Sequence, residues 1–136
     1  MGTFSSYQVG NEASLTHILT EKDVNTFAAL TGDNNLLHMS QDYAAKTKFK
    51  QRVVHGFLTA SFISTIVGTL LPGEGGLYLG QNLKFKKPVF INDTIRVTVK
   101  VTQKVESAKI LELKTTVTNQ HSEVVITGTA KVTWAE

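Results

Sequence analysis

With 136 residues, 41% of them hydrophobic, the chain has the length of one ordinary domain and enough apolar material for a core, so a second domain is not expected. Fourteen Lys and Arg stand against eleven Asp and Glu, a net charge of +3 without a basic tail; lacking a clustered basic stripe or an aromatic–basic motif, the chain is not expected to bind nucleic acid. The absence of cysteine removes disulfides, thiolate nucleophiles and Cys-ligated metals from consideration.

The stretch from Met1 to Asn11 is polar and lacks the basic-then-apolar layout of a signal peptide. The longest apolar-rich stretch, Phe57 to Leu71, is interrupted by Thr and Ser and is too short to span a bilayer. A cytoplasmic or matrix location with no membrane partner is therefore the expectation, and the mild positive charge suits an anionic partner such as a phosphorylated carrier.

Thr20 followed by Asp23 reads as a capping box, and Val24, Phe27, Ala28 and Leu30 then recur at helical spacing until Gly32 ends the element. A loop is expected from Asp33, then a short helix after Ser40, through Asp42 to Ala45, then a polar connection to His55. From Gly56 to Leu70 the chain is apolar on nearly every face, which predicts a buried helix roughly 22 Å long, stopped by Pro72-Gly73. After a turn at Gly73–Gly76 the pattern becomes that of strands: Leu77–Lys86, Thr94–Val105, Lys109–Asn119 and Glu123–Trp134. Ile95, Val97, Val99 and Val101 should face one way and Arg96, Thr98 and Lys100 the other. In the last strand Val124, Ile126, Gly128, Ala130, Val132 and Trp134 should share a face.

Tight connections near Asn92-Asp93, Glu106-Ser107 and His121-Ser122 predict an antiparallel meander. Its apolar face needs a cover, and only the 56–70 helix is long and apolar enough, which makes the fold class α+β. An antiparallel sheet wrapped around a central α-helix is the layout known as the hotdog, and the helix is expected to lie inside the wrap.

The residues that carry chemistry cluster in two runs: FAALTGDNNLLH from Phe27 to His38, closing with Ala44, and VVHGF from Val53 to Phe57. Taken alone, Asp33-Asn34-Asn35 is a helix-ending turn, His38 a loop histidine and Gly56 a helix start. Together they offer a carboxylate and an imidazole five residues apart, next to a helix N-terminus with free N–H groups and a residue that admits close approach to the backbone. Such a set can act as a base, as an acid and as a stabiliser of negative charge on an oxygen. None of the four His fall at the i, i+4 spacing of a helical ligand pair, so no metal is expected.

The run Thr31-Gly32-Asp33-x-Asn35 on to His38, with Tyr78 to Gln81, Phe85 to Val89 and Gly128, resembles the MaoC-like, (R)-specific enoyl-CoA hydratases over nearly the whole chain. The resemblance implies reversible hydration of trans-2-enoyl-CoA to (R)-3-hydroxyacyl-CoA without a cofactor. It also implies that Asp33 and His38 hold and activate the water, that the Gly56 N–H binds the thioester oxygen, and that Ser64 is a further active-site position. Helix phase adds Val67, at i+3 from Ser64, as a residue closing the far end of an acyl pocket. His55 is expected to orient the loop, and His17, on a strand, and His121, in a turn, to be structural or solvent-facing. Leu36 stands where the family pattern usually has Pro, and Arg52 where a Pro often precedes the Val-Val-His-Gly run, which bears on loop rigidity rather than on a reacting group. A single 1–136 domain that pairs into a homodimer edge to edge is the implied assembly. The rival readings are a (3R)-hydroxyacyl-ACP dehydratase, which shares the chemistry but not the carrier, and, further off, a thioesterase or a non-catalytic acyl-CoA-binding protein on the same fold.

Overall fold

The computed structural model describes residues 3–135; Met1, Gly2 and Glu136, the extremes of the expected domain, lie outside the described residues. After a one-turn 3-10 helix at Phe4–Ser6 come β1 (Glu12–Ile18), α1 (Glu21–Thr31), α2 (Leu36–Met39), α3 (Gln41–Ala45) and α4 (Gly56–Thr69). Then follow β2 (Gly76–Phe85), β3 (Thr94–Val105), β4 (Ile110–Thr118) and β5 (Val124–Trp134). The capping box at Thr20 forms as expected: Asp23 N–H donates to Thr20 Oγ1 at 3.1 Å, and Thr20 N–H donates to Asp23 Oδ2 at 3.1 Å. Asp23 also meets His17 Nε2 at 2.8 Å, and the His17 ring stacks on Phe62 of α4 with centroids 4.4 Å apart, so His17 ties β1, α1 and α4 together. Gly32 ends α1 with φ 79°, a left-handed value that a Cβ would penalise.

The strands form one antiparallel sheet in the order β1-β3-β4-β5-β2. α4 packs against β3 in the interior and against β2 and β1, the two edges of that sheet. One helix can touch both edges of a five-stranded sheet only if the sheet curls around it, which is the hotdog fold. Ile95, Val97, Val99 and Val101 are fully buried on the face that holds the helix, as their alternation predicts.

Four expectations need correction. Only β3, β4 and β5 make a meander: β2 pairs with β5 at the far edge, so the Asn92-Asp93 turn does not close a hairpin. Instead, Asn92 N–H donates to Leu19 O and Leu19 N–H to Asp93 O, bringing the crossing segment alongside the end of β1. Second, β5 carries an irregularity where Val117 pairs with Ile126 but Thr118 with Val124. The extra residue turns Val125 into the core and leaves Val124 41% exposed, so Val124 does not share the inner face. Third, α4 is covered on one face: Leu58, Thr59, Ala60, Ile63, Ile66 and Val67 are buried, whereas Phe57, Ser64, Thr65 and Gly68 are exposed. Fourth, His38 sits on the short helix α2 rather than in an open loop, because the Asn35 side chain caps it by accepting from Leu37 N–H at 3.0 Å.

Candidate active site

Two structural breaks bring the chemistry together: the exit from α1 and the entry into α4. Past Gly32 the chain makes successive Asx- and ST-type bonds. Thr31 Oγ1 accepts from Asp33 N–H at 3.2 Å and Asp33 Oδ1 from Asn35 N–H at 3.4 Å. These hold Asp33 out of the helix, exposed, while α2 turns His38 back toward it. Asp33, His38 and His55 each place one donor atom so that all three atoms lie within 4.8 Å of one another.

The two imidazoles have fixed and different states. His38 Nδ1 lies 2.6 Å from Val53 O, and since a carbonyl only accepts, Nδ1 carries the proton. Neutral His38 therefore keeps its lone pair on Nε2. His55 is 2% exposed, and its Nε2 donates to Asp33 O at 3.0 Å, leaving Nδ1 deprotonated, buried and without a partner. Its ring lies between Phe27, at 4.8 Å, and His38, at 4.1 Å. His55 thus orients the loop through the backbone of Asp33. With one nitrogen of each ring committed to a carbonyl, the three-residue cluster, assembled from separate elements, is one that spacing along the helix did not foresee.

Burial is the main force lowering the pKa of His55; the hydrogen bond to the Asp33 carbonyl opposes it, and the charge His38 carries when protonated and that of Arg52 add to the lowering. An unfolded-state histidine takes up its proton near about pH 6.5, whereas folded His55 does so only at lower pH. Between those two values the unfolded state binds more protons, so stability rises with pH: it is complete above the unfolded value and is lost as pH falls through the folded one. A melting-temperature series from about pH 5 to 7.5 should show this limb, and His55→Gln, which keeps a donor but does not titrate, should flatten it. An equally steep limb in the variant would remove His55 as its cause.

The pair opens onto a cavity of 490 Å³ lined by Asp33, His38 and Gly56 on one side and by apolar groups, including Phe49, Phe85, Val89 and Ile126, on the other. Gly56 is the first residue of α4, and no side chain caps that helix, so the helix start presents its N–H groups. A Cβ at position 56 would come within 2.6 Å of Phe85 Cε1, so a larger residue there would have to displace the half-exposed Phe85 ring packed over the helix start. Lys86, Lys87 and Pro88 continue the lining. Ser64 and Val67 do not reach this cavity: Ser64 is exposed on the outer face of α4, and Val67, 4% exposed, lies in the core. Sequence reading missed Phe85 and Arg52 as parts of the site; Phe85 stood within a quoted motif, but nothing local showed its contact with Gly56.

A curled antiparallel sheet holding one helix defines the chain as a hotdog protein, and a carboxylate and an imidazole lie together beside that helix's N-terminus. Residues 6–125 match the family model described as a MaoC like domain, and the chain belongs to that family. It is 46% identical to a Rhodospirillum rubrum protein named (R)-specific enoyl-CoA hydratase over 129 residues, 95% of this chain and 89% of that protein. It is 30% identical over 121 residues to a mitochondrial 3-hydroxyacyl-[acyl-carrier-protein] dehydratase of Arabidopsis thaliana, 88% of this chain and 72% of that one. A solved structure described as the (R)-hydratase from A. caviae involved in PHA biosynthesis superposes with a TM-score of 0.92 at 41% identity, covering 95% of this chain and 98% of the other. Among the described residues no helix is long and apolar enough to cross a membrane.

Proposed function

We infer that this chain is a hydro-lyase, an (R)-specific enoyl-CoA hydratase that adds water reversibly across C2–C3 of a trans-2-enoyl-CoA to give the (R)-3-hydroxyacyl-CoA. The observation that carries this reading is the pairing of Asp33 with a His38 whose Nε2 is free, at the mouth of an apolar cavity beside the start of α4. In that arrangement Asp33 and His38 hold one water, take its proton as oxygen bonds to C3, and return a proton to C2. The electron pair passes meanwhile to the thioester oxygen, where the Gly56 N–H and the positive end of α4 stabilise the enolate. The greater identity to the CoA-named relative than to the carrier-protein one supports CoA as the carrier. Loss of enoyl absorbance from crotonyl-CoA without release of free thiol is the expected result. Thiol release would make the chain a thioesterase, and no change with either carrier would leave it a binding protein.

We place the acyl tail onward from the cavity along the inner face of α4. Thr59 lines the cavity, and Thr59, Ile63 and Val67 follow at i, i+4 and i+8 on the buried side. Val67→Ala is therefore expected to lengthen the accepted chain by a carbon or two, read from rates on a series of enoyl-CoA lengths; an unchanged profile would place the tail elsewhere. Ser64, one helical turn before Val67 but exposed, does not line the cavity.

The assembly is proposed to be a homodimer, with residues 1–136 as one domain in a cytoplasmic setting. β2 pairs on one side only and exposes Leu77, Leu79 and Phe85 at about half of their surface. A ten-residue edge of that kind is an invitation to pair with a second copy. Sedimentation at micromolar concentration should show the dimer, and a dominant 14.9 kDa species would count against it.

A further inference from the structure

His38 is carried into the site by an element with little to hold it. α2 has four residues, none of them buried, and Leu36 is 54% exposed. A single helical turn is not stable by itself, and here the partly buried Met39 is the one apolar residue of α2 that packs against the core, too little to fix its place. Hydrogen bonds do so instead, and they converge from the segment just before α4. Val53 N–H donates to Leu37 O at 3.2 Å, and Arg52 Nε donates to His38 O at 2.6 Å. The same guanidinium reaches across to α1, where Nη2 donates to Asn25 Oδ1 at 3.1 Å and Nη1 lies 3.3 Å from Glu21 Oε1. The Arg52 side chain is only 11% exposed, although Glu21 is 66% exposed, so the hold on α1 rests on the buried guanidinium and its several hydrogen bonds more than on the ion pair.

Leu36 is the first residue of α2, the position at which proline suits a helix because its φ is already set and its missing N–H would have no partner within the helix. With leucine there, the turn lacks that intrinsic stiffness. We propose that Arg52 is a positioning residue for the reaction: its guanidinium, anchored on α1, grips the His38 carbonyl and holds the imidazole in register with Asp33, in place of the rigidity that proline at position 36 would supply. The inference rests on the reading of Asp33 and His38 as the hydratase pair. Lysine cannot take over the role, because one ammonium on a flexible stem does not span three partners in a plane.

Arg52→Gln and Arg52→Lys test this, each alone and combined with Leu36→Pro. Asn35, which would precede the new proline, already has ψ 129°, the extended value such a residue adopts, so the proline fits without moving the backbone. Each Arg52 variant should lower kcat by about 10–100-fold, the scale of a displacement near 1 Å, with KM changed by less than about twofold. Side-chain NMR of His38 without substrate should show it exchanging between positions in the Arg52 variants. Leu36→Pro should restore most of the lost kcat and sharpen those resonances.

Normal kcat in the Arg52 variants, or a loss that follows melting temperature alone and is not recovered by Leu36→Pro, would overturn the proposal. Should the Arg52 variants fail to fold, Asn25→Ala with Glu21→Gln removes the anchors but keeps the arginine. That pair should show a smaller kcat loss of the same kind, and unchanged kcat would again overturn the proposal. A wild-type chain without hydratase activity would instead sink the functional reading, with the His38 NMR comparison still deciding whether Arg52 holds the imidazole.

Discussion

Replacing Asp33 by asparagine, or His38 by glutamine, is expected to lower turnover by about 10²–10⁴-fold, the range for a lost general acid–base group, while leaving the protein folded. The asparagine would keep an oxygen for the Asn35 N–H, and the glutamine would keep an N–H for Val53 O, so the loop retains its hydrogen-bonding capacity but loses the ability to cycle a proton. Stability should move by no more than about 1 kcal/mol, since neither side chain is buried. Because one water is shared, the double variant should be scarcely slower than either single one, as happens when residues act as a unit. Water and proton delivered from one fixed site reach one face of the substrate, so the product should be a single enantiomer, (R) in keeping with the relatives. Rates of the folded variants and chiral analysis of the 3-hydroxyacyl-CoA decide the matter. Near-normal turnover in either variant, or an (S) product from the wild type, would end this mechanism.

Gly128→Ala is expected to produce the largest loss of stability, about 3 kcal/mol or more in urea unfolding, since a rigid backbone rather than a flexible side chain stands in the way. Gly128 lies in β5 opposite Leu83 of β2 and Thr115 of β4. A Cβ there would sit 2.0 Å from Asn82 O and 3.0 Å from Gln81 Nε2. That amide is committed elsewhere: Gln81 Nε2 donates to the Oγ1 of fully buried Thr115 at 2.9 Å, while its Oε1 accepts from the Tyr78 hydroxyl. An added methyl must therefore push β2 off β5 and break the bonds that satisfy a buried hydroxyl. Gly80→Ala, whose Cβ would meet nothing within 4 Å, is the control and should cost much less. If the two variants unfold alike, the close packing at Gly128 is not what that glycine is for.

Much of this molecule is local chemistry and was legible in the chain. The capping box at Thr20 and Asp23, the stop at Gly32, the helical span of α4 and the period-two alternation of β3 are all set by neighbours within a few residues, and each forms as expected, although α4 is covered on one face only. The nearness of Asp33 and His38 in the chain was legible in the same way, but the short helix α2, capped by Asn35, is what turns His38 back toward Asp33. Tyr78, Gln81 and Gly128 could be read as a family pattern, and in the structure they make and protect one half-buried hydrogen-bond network between β2, β4 and β5.

What the tertiary structure decided are the relations between distant segments, on which periodicity is silent. Alternation tells which side of β2 is apolar but not that β2 pairs with β5 instead of β3, since either neighbour satisfies the same ladder. The inward turn of Val125 depends on a register irregularity between β4 and β5, invisible in either strand alone. His55 lies 22 residues from Asp33, yet its Nε2 holds the Asp33 carbonyl, and Arg52, 14 residues from His38, grips the His38 backbone. Residue types named the candidate proton-transfer pair because proton transfer requires particular side chains. Their positions are held by carbonyls and a guanidinium brought close by the curl of the sheet and the entry into α4, and only folding in three dimensions creates those contacts.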